Sequence, residues 1–437
     1  MKTIQYERPL RSFPGGPYSI HHGRDHSGMN WPGHFNDCTN DRLEDSAIAA
    51  IMKVAAAEKA LSLAAGEPFG ALYPIGHLQG SFRRVLSSDL PVWGYSNTRS
   101  GVPLLREWIA EWMSGDGLTP EWVTPDNLFI TNGSQEGIYL LSECFLDPGD
   151  AVLVESPSYP EALGVFQKSG AECLGVPLLS DGPDMEALET VLARKKVKFF
   201  YTIPTFQNPS GFTTSDEKKR RILDLAKKHD FLVLEDDPYR NISFDGHPGG
   251  TYLKAAGDDR RVIYLGSFSK IIAPGLRCGW IISPEEVIEK LLKFRIMGTL
   301  CLPEMIQYAI VDFVKGIDLP EHLKALSETY RQHRDALFSS LREHAGPEGL
   351  EITAPGGGFF LWGCVPWISD MSEFAFFAIR NEKVAVIPGN IFFPERGHGM
   401  DTIRLSFSKV IPSMAREGSK RLGEALRKFR AVQGRRT

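Results

Sequence analysis

The chain has 437 residues, of which 42% are hydrophobic and 24% are charged. This composition is typical of a folded protein with about two domains and excludes a disordered or fibrous chain. The formal net charge of −5 gives no basic surface for nucleic acid. No apolar run approaches the roughly 18 residues that span a bilayer, and the first residues lack the apolar segment of a signal peptide. We therefore expect a cytoplasmic protein that binds neither nucleic acid nor membrane.

The six cysteines are scattered along the chain without a C-x-x-C pair. This spacing predicts neither a disulfide framework nor a zinc site. Reduced thiols of this kind are typical of a cytosolic protein, and we expect no bound metal.

Residues 1–45 are rich in Gly, His, Asn and Pro and predict an irregular arm. The stretch "DSAIAAIMKVAAAEKALSLAAGEP" then predicts a helix that begins at an Asp45/Ser46 cap and ends before Gly66 and Pro68. A loop follows, so that residues 46–98 form a helix and loop segment.

From residue 99 onward, helical segments alternate with short apolar runs that predict strands: "NLFIT", "AVLVES", "KFFYTIP", "FLVLED" and "VIYLGSFS". Strands that are apolar on both faces are typical of a mostly parallel sheet covered by helices. The sequence therefore predicts an α/β fold whose large domain covers residues 99–318.

Polar segments follow each of these five strands: "NGSQEG", "SPSYP", "TFQNPSG", "DDPYRN" and "SFSKIIAPGLR". Ligands of open α/β sheets bind at the carboxyl ends of the strands. We therefore expect these segments to meet at one edge of the sheet and to form the functional site.

Three of these segments can be interpreted either as parts of a functional site or as ordinary structural features. Gly133, Ser134 and Gln135 open a helix whose free N–H groups suit an anion, but an ordinary helix cap fits equally well. Tyr159 is a flat lid for a planar ligand or, more commonly, a turn residue. Asn208 precedes a proline and fits turn chemistry.

The other two segments point more strongly to chemistry. Asp236 ends a buried strand, where a carboxylate needs a cation or a donor, and Tyr239 adds a phenol beside it. Lys270 lies among uncharged neighbours, and desolvation favours the neutral, reactive form of its amine. Ser267 and Arg277 flank this lysine.

The motifs "NGSQ", "PTFQNPSG", "EDDPYR", "GSFSKIIAPGLRCGW" and "IRLSFS" resemble, in order and spacing, those of fold type I enzymes dependent on pyridoxal 5′-phosphate (PLP). Within that superfamily the chain resembles the kynurenine/2-aminoadipate and aromatic aminotransferases. The resemblance covers roughly residues 46–430. It implies a large PLP-binding domain and a smaller α+β domain at residues 319–437.

The resemblance also implies roles for single residues. Lys270 is expected to form the Schiff base with PLP, and Asp236 to pair with the pyridinium nitrogen. Asn208 and Tyr239 are expected to bind the phenolic oxygen of the ring, and Tyr159 to stack on its face. The expected phosphate ligands are Ser134, Ser267, Arg277 and the backbone at Gly133 and Gln135.

For the substrate, the resemblance assigns the α-carboxylate to Arg404, with Asn208 and the backbone of Gly66 nearby. Tyr95 matches a tyrosine that crosses to the cofactor of the neighbouring subunit, which implies a homodimer. Some relatives that accept 2-aminoadipate carry an arginine where this chain has Ala49. The expected donor is therefore aromatic or bulky and apolar, with Arg24 and Arg99 as alternative partners for an acidic one.

The expected activity is a ping-pong transfer of the α-amino group from an amino acid to a 2-oxo acid such as 2-oxoglutarate. PLP lyases, decarboxylases, synthases and oxidases share the same cofactor motifs and stay open as alternatives. A PLP-binding transcription regulator is less favoured, because residues 1–45 are too short and too weakly basic for a DNA-reading domain.

Overall fold

The computed structural model of the protein describes residues 31–36, 38–43, 46–246 and 248–434. The chain divides into two compact units, Met1–Leu43 and Glu44–Thr437. In the first unit, a 3-10 helix covers Trp31–His34 and a π-helix covers Cys38–Arg42. Most of the predicted arm, including Arg24, lies outside the described residues.

The second unit alternates strands and helices. Its strands are, in chain order, β1 (Leu61–Ser62), β2 (Leu128–Thr131), β3 (Ala151–Ser156), β4 (Glu172–Leu179), β5 (Gly182–Pro183), β6 (Phe199–Thr202), β7 (Leu232–Asp236), β8 (Val262–Ser267), β9 (Gly279–Ile282), β10 (Glu351–Thr353), β11 (Phe360–Cys364), β12 (Val384–Ala385), β13 (Ile387–Pro388) and β14 (Thr402–Ser406).

Its helices are α1 (Ala47–Ala57), α2 (Ile75–Leu86), α3 (Pro103–Gly115), α4 (Ser134–Phe145), α5 (Pro160–Lys168), α6 (Met185–Leu192), α7 (Asp216–His229), α8 (Tyr252–Ala256), α9 (Glu285–Gly298), α10 (Glu304–Lys315), α11 (Leu319–His344), α12 (Met371–Glu382) and α13 (Pro412–Gln433).

The large sheet has eight strands in the order β2-β9-β8-β7-β6-β3-β4-β5. Strands β8, β7, β6, β3 and β4 are mutually parallel, and β9 runs antiparallel to both β2 and β8. Because β9 is reversed, β2 runs in the same direction as β8. The carboxyl ends of the five predicted strands therefore lie at one edge of a mostly parallel sheet, as expected.

The core of this sheet is apolar, and every residue of β2, β6, β8 and β9 is buried. Helices α4, α5, α7 and α8 pack against its strands. Burial of these apolar strands and helix faces supplies the main favourable free energy for the fold. The α/β fold class predicted from the sequence is confirmed.

A smaller, antiparallel sheet has the strand order β10-β11-β14-β13. In the chain, α11 precedes the strands of this sheet, α12 lies between β11 and β12, and α13 follows β14. Helix α13 packs against both α11 and α12. The smaller region thus combines helices with an antiparallel sheet. The domain boundaries that the sequence suggests after residues 98 and 318 stay a prediction.

The first helix is shorter than its sequence predicts. The Ser46 side chain caps α1 by accepting from the Ala49 N–H, as expected, but the helix ends at Ala57. Lys59 then adopts a left-handed φ of 50°, and β1 pairs in parallel with β12. This pairing leads into Leu63, which is fully buried, so tertiary burial overrides the helix propensity of the alanine-rich segment.

Three expected absences concern only the part of the chain that the structure describes. There, no helix is long and apolar enough to cross a membrane. No disulfide bond joins any pair of cysteines in the same residues. Nor do His, Cys, Asp and Glu side chains come together there in a group that could hold a metal ion.

Candidate active site

A cavity of about 340 Å³ lies at the carboxyl edge of the large sheet. It is lined by all the predicted site residues except Gly133 and Tyr95: Gly66, Ser134, Gln135, Tyr159, Asn208, Asp236, Tyr239, Ser267, Lys270, Arg277 and Arg404. A larger, open concavity of about 1470 Å³ lies between α3, α11 and the loop after β7, but none of the predicted residues line it. The smaller cavity is therefore the candidate active site.

Lys270 follows strand β8, and its amine faces the cavity. Its Nζ donates to the carbonyl oxygen of Gly66 at 3.2 Å and lies 5.8 Å from the ring centre of Tyr239 and 5.7 Å from that of Phe359. Burial lowers the pKa of the amine to about 8, against the opposing charge of Glu67. A lysine in this setting has a sizeable neutral fraction at physiological pH, as a nucleophile or base requires.

Asp236 ends β7 and is 3% exposed. Its Oδ2 accepts a hydrogen bond from the Tyr201 hydroxyl at 2.8 Å, while its buried Oδ1 has no partner among the described residues. Burial raises the pKa of the carboxyl to about 7, and the Tyr201 hydrogen bond opposes this shift. The free oxygen therefore suits a cationic N–H donor such as a pyridinium nitrogen.

The amino terminus of α4 and Arg277 form an anion-binding corner. Gly133 precedes this helix with a φ of 80°, and a Cβ at this position would lie 2.5 Å from Nη2 of Arg277. That nitrogen donates to the carbonyl oxygen of Asn132 at 2.9 Å. Only glycine permits this close approach, which brings a guanidinium beside the free N–H groups that begin with Ser134.

Two hydroxyl side chains, one from the last residue of β8 and one from the loop after it, extend this corner. The Ser267 Oγ accepts from the backbone N–H of Ser269 at 3.1 Å, and both residues line the cavity. Hydroxyls, backbone N–H groups and a guanidinium are together the donor set that binds a phosphate.

Arg404 lines the same cavity from β14, a strand of the small sheet. Its Nη1 donates to Asn208 Oδ1 at 2.9 Å and its Nη2 to the Ala64 carbonyl at 3.1 Å. The guanidinium lies 4.3 Å from the ring centre of Phe360 and 4.8 Å from that of Phe392.

This buried guanidinium has no counterion among the described residues. Burial lowers the pKa of Arg404 to about 10, so the group stays charged at neutral pH. No carboxylate of the described residues lies within ion-pair distance, and its Nε has no hydrogen-bond partner there. A buried charge of this kind needs an anion opposite it, which fits a substrate carboxylate.

Gly66, Tyr159 and Tyr239 complete the wall of the cavity. A Cβ on Gly66 would lie 2.8 Å from the Phe360 ring, so a larger residue would displace that ring. Burial raises the pKa of both tyrosines above the usual range. Both phenols therefore keep their protons at neutral pH and can donate a hydrogen bond to a ligand.

Tyr95 lies outside this cavity and is 84% exposed. Its neighbour Trp93 is 75% exposed. Arg99, an alternative partner for an acidic substrate, is exposed and does not line the cavity either.

A layer of buried residues behind the site was not predicted from the sequence. Glu155, at the end of β3, accepts hydrogen bonds from Thr202, Ile203 and Gln207 at 2.6, 3.1 and 3.1 Å. Burial raises the pKa of this carboxyl to about 7. Gln207 precedes Asn208, so the Glu155 network holds the loop that presents Asn208 to Arg404.

One available signal for this layer is the position of Glu155, which follows the apolar part of β3 directly, as Glu235 and Asp236 follow that of β7. Tyr201 gives no such signal, because its role depends on pairing between β6 and β7. Six further cavity-lining residues were not predicted from the sequence, and all of them except Ser269 lie outside the recognised motifs: Ile48, Met52, Glu67, Glu161, Ser269 and Phe360.

The arrangement fits the cofactor that the sequence implies, PLP. The partnerless oxygen of Asp236 suits a pyridinium N–H, and the glycine at position 133 lets the Arg277 guanidinium lie close to the amino terminus of α4, where the two can bind an anion together. Lys270 supplies an amine of lowered pKa in the same cavity. These protein groups complement the ring nitrogen, the phosphate and the aldehyde of a phosphorylated pyridine.

Comparison with known proteins gives a consistent result. Residues 88–422 match the family model described as aminotransferase class I and II. The chain is similar to the aromatic-amino-acid aminotransferase 1 of Thermococcus litoralis, with 35% identity over 390 residues that cover 88% of this chain and 92% of the relative.

Two solved structures have the same architecture. One is an α-aminoadipate aminotransferase of Thermus thermophilus, complexed with N-(5′-phosphopyridoxyl)-L-leucine; identity is 32%, the TM-score is 0.84, and the match covers 92% of this chain and 100% of that one. The other is a kynurenine aminotransferase of Pyrococcus horikoshii, with 32% identity, a TM-score of 0.86, and coverage of 92% and 98%.

Proposed function

Because this chain belongs to the class I and II aminotransferases and is a PLP-dependent aminotransferase, we propose that it takes the α-amino group from an aromatic or bulky apolar amino acid. The acceptor is a 2-oxo acid. The observation that carries the donor proposal is the wall of the cavity formed by α1, where Ile48 and Met52 face the site and Ala49 stands in place of an arginine.

The proposed cofactor site uses the edge of the large sheet. Lys270 binds the cofactor covalently, Asp236 faces its ring nitrogen, and Asn208 and Tyr239 donate to its phenolic oxygen. Tyr159 covers the ring. The proposed phosphate ligands are Ser134, Ser267, Arg277 and the backbone at Gly133 and Gln135.

When bound, PLP supplies an aldehyde that takes the nitrogen of the donor and a ring that withdraws electrons from its α-carbon. The protein orients the donor through Arg404, whose guanidinium binds the α-carboxylate. The neutral Lys270 amine accepts the proton from the donor's Cα. The ionised Asp236 stabilises positive charge on the ring nitrogen, which is the electrostatic requirement of this proton transfer.

Other groups of this chain do not favour an acidic side chain on the donor. Arg99 is exposed and away from the cavity, and Arg24 lies outside the described residues. Relatives are named for aromatic amino acids, kynurenine and α-aminoadipate, so relatives alone do not decide the donor. The apolar wall at Ile48 and Met52 supports an aromatic or bulky apolar side chain.

The two half-reactions share one site, so we propose ping-pong kinetics, with the oxo-acid product leaving before the acceptor binds. We also propose a homodimer in which Tyr95 reaches the neighbouring active site. The high exposure of Tyr95 and Trp93 supports this arrangement, since large exposed aromatics often mark interfaces. The proposed location is the cytoplasm.

A donor panel tests the proposed function. The purified holoenzyme is assayed with L-tyrosine, L-phenylalanine, L-leucine, L-2-aminoadipate and L-glutamate, each with pyruvate. All donors except L-glutamate are also assayed with 2-oxoglutarate, because L-glutamate and 2-oxoglutarate give no net reaction. We expect higher kcat/KM for the aromatic and bulky apolar donors, and parallel lines in double-reciprocal plots. A preference for 2-aminoadipate would contradict the donor proposal, and intersecting lines would contradict the ping-pong mechanism.

A further inference from the structure

Two buried acceptor atoms in the cavity have no hydrogen-bond partner in the described part of the chain and no role in the proposed function. They are Oε2 of Glu161 and Oε1 of Gln135, and neither accepts a hydrogen bond from any described residue. Both residues line the cavity. The backbone of Gln135 is assigned to the phosphate, but its side-chain oxygen is not. A buried acceptor without a donor costs free energy, so this pair indicates a ligand group that donates.

These two side chains are held in place by their neighbours. The other carboxylate oxygen of Glu161 accepts from the Ser46 hydroxyl at 3.3 Å, and Gln135 Nε2 donates to the Glu161 carbonyl at 3.5 Å. Glu161 lies in the first turn of α5 and Gln135 in the first turn of α4. The free oxygens are thus anchored on the ends of two helices, close to the α1 cap at Ser46.

The carboxylate of Glu161 shares the cavity with the groups that surround the substrate. Burial, followed by the charge of Glu161, raises the pKa of Tyr159. The pKa of Arg404 is lowered by burial, and the negative charge of Glu161 acts in the opposite direction and raises it. Glu161 therefore lies within electrostatic reach of both the proposed ring stack and the proposed carboxylate site.

Glu161 differs from the other glutamate of the cavity wall. Glu67 is paired with Lys409, with 2.7 Å between Oε2 and Nζ. No basic side chain of the described residues lies within ion-pair distance of Glu161. Its carboxylate is therefore available to a ligand, whereas that of Glu67 already has a counterion.

We propose, on the basis of the proposed function, that Glu161 selects among aromatic donors for those whose ring carries an O–H or N–H group, with Gln135 as the second acceptor. The ring lies against Ile48 and Met52, and its phenol or indole donor binds the Glu161 carboxylate. Hydrogen bonds to a charged acceptor discriminate more strongly than neutral ones. The same charge opposes a second carboxylate at this position, so pyruvate is favoured over 2-oxoglutarate as acceptor.

Equilibrium binding to the holoenzyme tests this proposal without turnover. The probes are three acids without an α-amino group: 3-(4-hydroxyphenyl)propanoate, 3-phenylpropanoate and adipate. Their dissociation constants are measured by calorimetry for the wild type and for Glu161→Gln and Glu161→Leu. Glu67→Gln is the matched control, because it neutralises a carboxylate of the same wall that already has a partner.

We expect the wild type to bind the phenol about tenfold more tightly than the phenyl probe. Glu161→Leu should reduce this ratio to about one to two, and Glu161→Gln should tighten adipate by about tenfold. Glu67→Gln should leave the phenol-to-phenyl ratio unchanged. The melting temperature of each variant checks that it is folded.

Failure of this inference differs from failure of the proposed function. If both aromatic probes bind equally and the Glu161 variants leave their ratio unchanged, Glu161 is not a selector, but the aromatic donor proposal stands. If the wild type binds adipate tightly and neither aromatic probe, the donor proposal itself fails. If Glu67→Gln reduced the preference for the phenol probe over the phenyl probe as much as the Glu161 variants do, the specific role of Glu161 would be overturned.

Discussion

The two arginines of the cavity occupy opposite environments. Arg277 lies in an exposed loop, adopts a left-handed φ of 46°, and adjoins the amino terminus of α4. Arg404 lies on a strand of the small sheet, is 3% exposed, and is enclosed by Phe360 and Phe392. Both are proposed to bind an anion, but only Arg277 has backbone N–H groups and hydroxyls as additional donors.

This difference indicates how each anion is held. At the phosphate end, charge is shared among several preorganised donors, so no single side chain carries the whole binding energy. At the carboxylate end, one desolvated guanidinium acts with the amide of Asn208. Loss of Arg404 should therefore cost more than loss of Arg277, and the two losses should affect different ligands.

The largest effect is expected at Lys270, whose lowered pKa depends first on burial and then on charges that include both arginines. Lys270→Ala should lower kcat by at least about 10³-fold, because the proton transfer loses its base. It should also abolish the visible absorbance of the lysine-bound cofactor. Lys428→Ala, which removes a lysine of α13 from its ion pair with Glu382 of α12, is the control. Turnover retained by Lys270→Ala would contradict the assignment.

The next effect separates the two arginines. Arg404→Lys should lower kcat/KM by about 10²–10³-fold, since a lysine cannot form the two parallel hydrogen bonds to a carboxylate. Its affinity for PLP, measured by equilibrium titration of the apoenzyme, should stay at the wild-type value. A variant that loses PLP while binding donors normally would reverse the assignment of the two ends.

A smaller effect is expected at Arg277. Arg277→Lys should weaken PLP binding by about tenfold, because the Ser134 end of α4 and the hydroxyl of Ser267 still bind the phosphate. The KM for the donor, measured at saturating PLP, should change little. If Arg277→Lys weakened the donor more than Arg404→Lys does, the comparison between the two ends would be wrong.

The smallest effect concerns Asp236, which pairs with neither arginine. Tyr201 donates to this carboxylate and lowers its pKa against the effect of burial. Tyr201→Phe should therefore raise that pKa further, so that the ionised form appears only at higher pH. The acidic limb of the kcat/KM profile should move to higher pH by less than about one unit. A shift to lower pH would contradict the role of Tyr201.

Much of the site could be predicted because its residues follow strands directly. Asp236 ends β7 and Lys270 follows β8 within three residues. Predicting each strand therefore also locates the functional side chain at its carboxyl end. Short motifs preserve this local relation even when the rest of the fold is unknown. The edge of the sheet at which they meet follows from the parallel direction of the strands.

The rest depends on contacts between distant parts of the chain. Helix α1 ends at Ala57 because the strand that follows it pairs with β12. The alanine-rich sequence of the helix contains no local signal for that partner strand. Strand β9, which reverses direction between β2 and β8, was not identified from its short sequence. The hydrogen bond from Tyr201 to Asp236, and the lack of a partner for Glu161 Oε2 among the described residues, also emerge only from tertiary packing.

A single-turnover reaction tests the central claim most directly. The PLP form of the enzyme is mixed with L-tyrosine in the absence of any oxo acid, and the products are quantified per active site. We predict one equivalent of 4-hydroxyphenylpyruvate and one of pyridoxamine phosphate, without ammonia or carbon dioxide. Release of ammonia or carbon dioxide with PLP retained would contradict transamination and indicate a lyase, oxidase or decarboxylase.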